Sequence, residues 1–436
     1  MPDTGRQISW TTATLLVVAT MVGTGVFTTT GFLIQDLASN SAVILSWVVG
    51  GSVALCGALC YAELAAALPE SGGEYHLLSR IFHPSVGFVA GWVSLIVGFA
   101  APIAGSSLAF GYYLQTVFPW VHPTSAGVIL LVLVTAINLG TVRRASRFQD
   151  LFTALKIALI IAFIVGGLVY GESRYLMDGS FAGMGESLVS APFAVALIFV
   201  SYAYSGWNTS AYIAGEVHDP ARGLPFSLIT GTLIVIALYV SLNAVFLMSA
   251  ESSALAGKVE IGAVSATRLF GTRGGTAISL LIALGLISTV GAMVMTGPRI
   301  YARMGQDFGR LAWLQQDNAD KNPVSATLLQ SALAALMILS ASFESLLTYV
   351  GLTLSLVAGL TVAGVIWLRI REPELQRPYR TMGYPFTPLL FIALSGWMII
   401  YAVQERPVVT FAALGTIVSG LLAYWAVLPS KRDRAQ

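Results

Sequence analysis

The stretch MVGTGVF, residues 21–27, sets Gly23, Thr24 and Gly25 side by side in the middle of a long apolar run. Glycine inside a helix is unfavourable by roughly 1 kcal/mol relative to alanine, so the cluster marks either a packing notch or a break. A break has chemical value: it offers the N–H groups that begin one half-helix to an anion, and the carbonyls that end the other half to a cation. A second such place is SYAYSGWN, residues 201–208, with Ser205 and Gly206 near the middle of another apolar run. Lys156 is the third chemistry-bearing residue, the one basic side chain placed within an apolar run rather than at its end. Such a group marks a functional site with a partner nearby, unless its stem lets the head snorkel to the interface. Lying about seven residues, or ~10 Å, inside its run, Lys156 is open to both readings.

The elements that must position these residues are membrane helices. Hydrophobic residues make up 56% of the 436 and charged residues only 10%, more apolar surface than a soluble core can bury. Runs long enough to cross ~30 Å of hydrocarbon fall at 10–36, 41–67, 85–118, 124–140, 149–171, 190–215, 226–249, 274–298, 323–342, 345–369, 384–403 and 407–428. They are called spans 1 to 12 below. The first lacks a basic leader and is too long for a signal h-region, so it is read as retained. Placing the N-terminus inside puts seventeen Lys and Arg in cytoplasmic segments and five in outer ones, with Lys156 in neither. Both termini are therefore expected in the cytoplasm, and the basic residues are orientation signals, not a nucleic-acid footprint. Cys56 and Cys60, four apart on one span, suit neither a disulfide nor a metal, and the four histidines sit in loops or at span ends. No cofactor or metal is expected.

Spans 1 and 6, five apart, are the two interrupted ones, and paired interrupted spans in the two halves of a chain point to a transporter's binding site. Unwound backbone is tolerated at membrane depth only against protein or a watery cavity. A ligand with a carboxylate and an ammonium on one carbon, an α-amino acid, fits the opposite ends of two broken helices.

The sequence resembles the permeases of the amino acid, polyamine and organocation (APC) superfamily, and within it the bacterial relatives of the L-type amino acid transporters. The likeness rests on VGTGVF (22–27), ALCYAELAAALPESGGEY (58–75), RFQDLFTALK (147–156), YAYSGWN (202–208) with GEVHDPARGLP (215–225), GPRIYARMGQDFG (297–309) and IWLRIREPELQRPYRTMGYP (366–385). It implies an all-α, LeuT-like fold of twelve transmembrane helices. Two inverted five-helix repeats, 10–171 and 190–369, are followed by two further helices at 384–428. It also implies alternating access in a multi-pass protein of the cytoplasmic membrane, with substrate beside spans 1 and 6. The carboxylate turn falls on Gly23, Thr24 and Gly25, and the ammonium faces the carbonyls of Met21, Tyr202, Ala203 and Ser205. Tyr202 matches the aromatic that covers the substrate. Lys156 matches a lysine aimed at the unwound part of span 1, which either releases its proton during the cycle or stays a fixed cation there. Ser205 stands where many relatives that take bulky substrates have glycine, so small to medium neutral amino acids are expected. Animal members bond a glycoprotein through a cysteine after span 3; FPWVHPTSAG here has none, so no disulfide-linked heavy chain is expected.

Transport by proton symport or sodium-independent exchange fits this pattern, with the amino acid, the bilayer and protons as partners. A cationic amino-acid or polyamine carrier is the nearest alternative, disfavoured because no carboxylate falls mid-span in spans 1, 3, 6 or 8. A channel would show charge rings or a filter motif, and an enzyme a nucleophile or paired carboxylates; neither pattern occurs. An amino-acid sensor without flux remains a different-class alternative.

Overall fold

A lipid-embedded chain has no water to satisfy its peptide groups, so helices that satisfy themselves are the economical solution. The computed structural model describes residues 8–37, 39–139, 143–176, 188–315 and 323–428, with 143–153 and 303 as backbone alone. Among these the only β contact is one parallel bridge, Ile8 to Val217. Of the basic residues used for orientation, Arg6, Lys321, Lys431, Arg432 and Arg434 lie outside the described residues.

Helices stand at all the expected positions. Span 1 is a bent pair, Trp10–Met21 and Gly25–Asp36, meeting at 43°. Spans 2, 3, 7, 8, 10, 11 and 12 are Asn40–Ala67, Pro84–Val117, Pro220–Ser249, Ile261–Asp307, Phe343–Arg371, Phe386–Glu405 and Pro407–Val427. These seven are long and apolar enough to cross a membrane, and the bent pair makes an eighth. At positions 4, 6 and 9 the apolar helices are shorter, Pro123–Leu139, Ala191–Tyr204 and Val324–Ser340, and span 5 is the helix Arg143–Tyr170. Starts are set by caps: the hydroxyls of Ser9, Ser39, Ser190 and Ser342 each accept an N–H from the first turn.

Three features differ from the simple reading. Span 8 runs past Pro298 to Asp307, and a sharp turn at Gly271 (φ 72°, ψ 177°) sets off its first residues. One turn before the proline, Gln330 Nε2 of span 9 donates to the Met293 carbonyl at 3.1 Å. Pro225 lies inside span 7, whose start is set by Pro220. Span 3 widens to a π turn over Ser94–Ala100. Pro102 cannot donate to Gly98, and the wider turn takes its ring away from that carbonyl.

Spans 1, 2, 6 and 7 pack on one another, spans 3, 4, 8 and 9 do likewise, and span 10 touches both groups. Small residues permit the close crossings: a Cβ on Gly351 of span 10 would lie 2.1 Å from the Ile198 carbonyl oxygen of span 6. Spans 11 and 12 lie outside against spans 2, 3, 6 and 10 and keep apolar outer faces, with Phe386 78% and Trp425 70% exposed. At the end of span 2 the buried Glu63 is gripped by Arg369 (2.7 Å), Arg377 (3.4 Å) and the Thr381 N–H (2.6 Å).

Candidate functional site

Span 1 comes apart over Val22, Gly23 and Thr24, and the carbonyls of Met21, Val22 and Thr24 are each occupied. The Met21 carbonyl accepts the Tyr239 hydroxyl of span 7 (2.5 Å) and the Gly23 N–H (2.7 Å). The Val22 carbonyl accepts Lys156 Nζ at 3.2 Å, and the same amino group donates to Thr289 Oγ1 of span 8 at 3.2 Å. Lys156 is only 6% exposed, so its head points inward and does not snorkel. Thr24 Oγ1 bonds Ser106 Oγ of span 3, and the Thr24 carbonyl accepts the Thr28 hydroxyl at 3.0 Å. The Thr24 side chain does not cap the second half-helix, whose first turn therefore presents N–H groups as any helix start does.

Span 6 ends its first helix at Tyr204, turns through residues 205–208 and re-forms only as the short helix Thr209–Tyr212. Gly206 has φ +100°, and a Cβ there would meet Thr20 Cγ2 at 2.9 Å, so the turn needs glycine both for its backbone and for the approach of span 1. The Ser205 N–H returns to the Tyr202 carbonyl at 3.0 Å. Trp207 stacks edge-on against Tyr61 of span 2, centroids 4.7 Å apart. The two breaks touch: a Cβ on Gly25 would fall 2.4 Å from Ala203 Cα. Buried Tyr202 reaches span 3, where a Cβ on Gly105 would lie 3.3 Å from its hydroxyl.

A cavity of about 1820 Å³ opens between these spans. Its mouth lies at the end of the bundle where span 1 starts and spans 2 and 6 finish, beside Ile8, Glu70 and Glu216. Deep in it stand Thr20, Ser201, Ser205, Gly206, Lys156 and Thr289. Of the residues singled out from the sequence, Ser205, Gly206 and Lys156 line the cavity. Met21, Thr24, Gly25, Tyr202 and Ala203 form the packed junction of the two breaks behind its wall, and Gly23 beside them is half-buried. Tyr239, Thr289 and Ser106 were not foreseen. The only sequence signal for them is a polar tip inside an apolar run. Among the described residues no group of three or more His, Cys, Asp or Glu could hold a metal ion.

The amino acid permease family profile matches residues 8–434. The chain is 29% identical to the large neutral amino acids transporter small subunit 2 of Homo sapiens, over 96% of this chain and 80% of that protein. It is 27% identical to the Asc-type amino acid transporter 1 of Homo sapiens, over 95% and 81%. The serine/threonine exchanger SteT of Bacillus subtilis (strain 168) is 29% identical over 89% of each.

Proposed function

Because the chain belongs to the amino acid permease family, we propose that it is a secondary transporter of neutral amino acids of small to medium size, working by alternating access. The carrying observation is the contact of two helix breaks at Gly25 and Ala203 beside a large cavity open at one end. N–H groups of residues 23–25 and the Thr24 hydroxyl take the carboxylate in this reading. Carbonyls of Met21, Tyr202, Ala203 and Ser205 take the ammonium, Met21 sharing its carbonyl with Tyr239. Tyr202 covers the bound molecule, and Lys156 is the fixed or proton-exchanging cation bracing Val22. Names of the relatives, which include large neutral, Asc-type and serine/threonine carriers, support a neutral substrate, and the hydroxymethyl group of Ser205 in the cavity wall favours the smaller ones.

The same reading takes twelve crossings in two inverted repeats, 10–171 and 190–369, with both termini cytoplasmic in the cytoplasmic membrane. The cavity then opens inward. The chain works without a disulfide-linked heavy subunit, and drives transport by exchange or by proton symport rather than by sodium. Purified protein in liposomes, loaded and unloaded with amino acid and with or without a pH gradient, tests all of this. Uptake of alanine, serine or threonine, not outcompeted by tryptophan, is expected. Absence of flux with intact binding would make the protein a sensor, and preference for lysine or a diamine would overturn the neutral assignment.

A further inference from the structure

Glu74 opens the helix Gly73–Ile81 and is buried beside the cavity mouth, and its carboxylate meets three neutral donors from two other places in the chain. Tyr61 Oη of span 2 donates to Oε1 at 2.9 Å; Asn208 Nδ2 also donates to Oε1, and Tyr212 Oη donates to Oε2. Among the described residues no cation pairs with it. A buried carboxylate without a counter-ion is tolerated only when donors surround it, and a position in a helix's first turn helps further. Its three partners are thus jointly required, and two of them belong to the loosened stretch of span 6.

That stretch governs the wall of the cavity. Gly72 N–H donates to the Tyr212 carbonyl (3.1 Å), and the Gly215 N–H donates to Ser71 Oγ (3.2 Å), so the turn before Glu74 clasps the same segment. Farther on, Ile8 N–H bonds the Glu216 carbonyl (3.0 Å), His218 N–H bonds the Ile8 carbonyl (2.9 Å), and Trp10 Nε1 bonds the His218 carbonyl (2.8 Å). The first half of span 1 is thereby strapped to the tail of span 6. Whatever fixes residues 208–212 fixes both sides of the mouth.

We propose that Glu74 is a positioning residue of the transport cycle, a latch whose carboxylate holds Asn208 and Tyr212 of span 6 where the cavity stands open. The proposal rests on the alternating-access reading above. It requires that the tail of span 6 leave the carboxylate, or drag its helix along, when this end closes.

The test is thiol accessibility in liposomes. With Cys56 and Cys60 changed to serine, Ser355→Cys on the cavity wall reports opening to a membrane-impermeant thiol reagent added at the mouth. Glu74→Ala and Glu74→Gln are expected to slow labelling several-fold, because the unlatched protein spends more time closed at this end. A merely loosened fold would label faster, so the sign separates a latch from a structural contact. Tyr212→Phe and Asn208→Ala leave the glutamate in place and are expected to slow labelling less. Glu74→Gln combined with Tyr212→Phe should add little to Glu74→Gln alone. Unchanged or faster labelling in these variants, or full additivity in the pair, would overturn the proposal. If the wild type moves no amino acid, the function proposed above is lost while the labelling comparison still reads the latch.

Discussion

The two broken spans are held in opposite ways. Around the break in span 1 the freed carbonyls are fastened by side chains that arrive from spans 5 and 7, with Ser106 of span 3 on Thr24. Around the break in span 6 the backbone bonds mostly to itself, through Ser205 to Tyr202 and Thr209 to Gly206, and its side chains reach the cavity and Glu74. A break clamped by several distant spans is a seat; one whose turn is held locally, with only its tail tied down by Glu74, the turn before it and the start of span 1, is a hinge. The same chemistry, exposed main-chain ends at membrane depth, is thus made rigid once and movable once.

The largest effect is expected where seat and hinge meet. Gly25→Ala would put a methyl group 2.4 Å from Ala203 Cα, backbone against backbone, with no flexible side chain to yield. Overpacking of this kind is unfavourable by about 1–3 kcal/mol, on the order of a hundredfold in affinity if the whole strain falls on the bound state. Equilibrium binding and exchange in liposomes read it. Wild-type behaviour would mean that the two halves are not in contact during transport.

Next come the clamps. Lys156→Ala and Tyr239→Phe each leave a buried carbonyl one bond short, about 1–3 kcal/mol, so roughly tenfold weaker substrate binding and a lower thermal midpoint are expected. Lys156→Arg should not restore function, because the stem runs tightly past span 8: a Cβ on Gly285 would come within 3.0 Å of Lys156 Cγ. The matching deletion at the hinge is Thr209→Val, which removes a 2.6 Å bond to the Gly206 carbonyl. Thr209 lines the cavity, so water can replace its hydroxyl, and the loss should stay below about 1 kcal/mol. Equal losses at the two breaks, measured side by side, would erase the distinction between seat and hinge.

Selectivity is expected to lie with the hinge. Ser205→Gly removes a hydroxymethyl group from the cavity wall, and a pocket enlarged by that much shifts discrimination by about 1–2 kcal/mol. Leucine or phenylalanine should gain up to roughly tenfold against alanine in competition assays, with little change in the affinity for alanine itself. A loss of alanine affinity without gain for larger side chains would move the specificity determinant elsewhere.

Much of this contrast is legible in the sequence, and the limit has a physical reason. Apolar runs report the spans because bilayer thickness fixes their length, and the Gly23–Gly25 and Ser205–Gly206 pairs report breaks because helix interiors disfavour them. What holds each break is tertiary. Tyr239 reaches Met21 across 218 positions and Lys156 reaches Val22 across 134, and a lone tyrosine in an apolar run looks the same whether it clamps a carbonyl or packs. Lys156 stood out because a charge at that depth is rare, although whether its head would turn inward was settled only by Val22 and Thr289. Glu74 lay inside a stretch that carried the family likeness, yet with no neighbour known it had no assignable role. Span 8 continues past Pro298, where the sequence pattern ends it, because what a proline does to a helix depends on packing that no local pattern records.

The smallest effect sets the floor for the comparison. Arg80 and Glu372 form a two-bond ion pair (2.8 and 2.9 Å) at the surface, in contact with neither break. Hydrogen bonding from Arg80 holds the Glu372 carboxyl below its ordinary value of 4.5. A carboxyl lowered in the folded state adds stability that is present above its unfolded value and is lost as pH falls through the lowered one. The contribution is therefore full at neutral pH and fades in the acid range below about pH 4 to 5. Arg80→Ala should lower stability by only about 0.2–1 kcal/mol, as exposed pairs do, and the gap from wild type should close on acidification. Thermal midpoints across pH, together with exchange rates at neutral pH, check both points. If losing this remote pair slows exchange as much as Tyr239→Phe does, bracing of the seat is not what ties the clamps to transport.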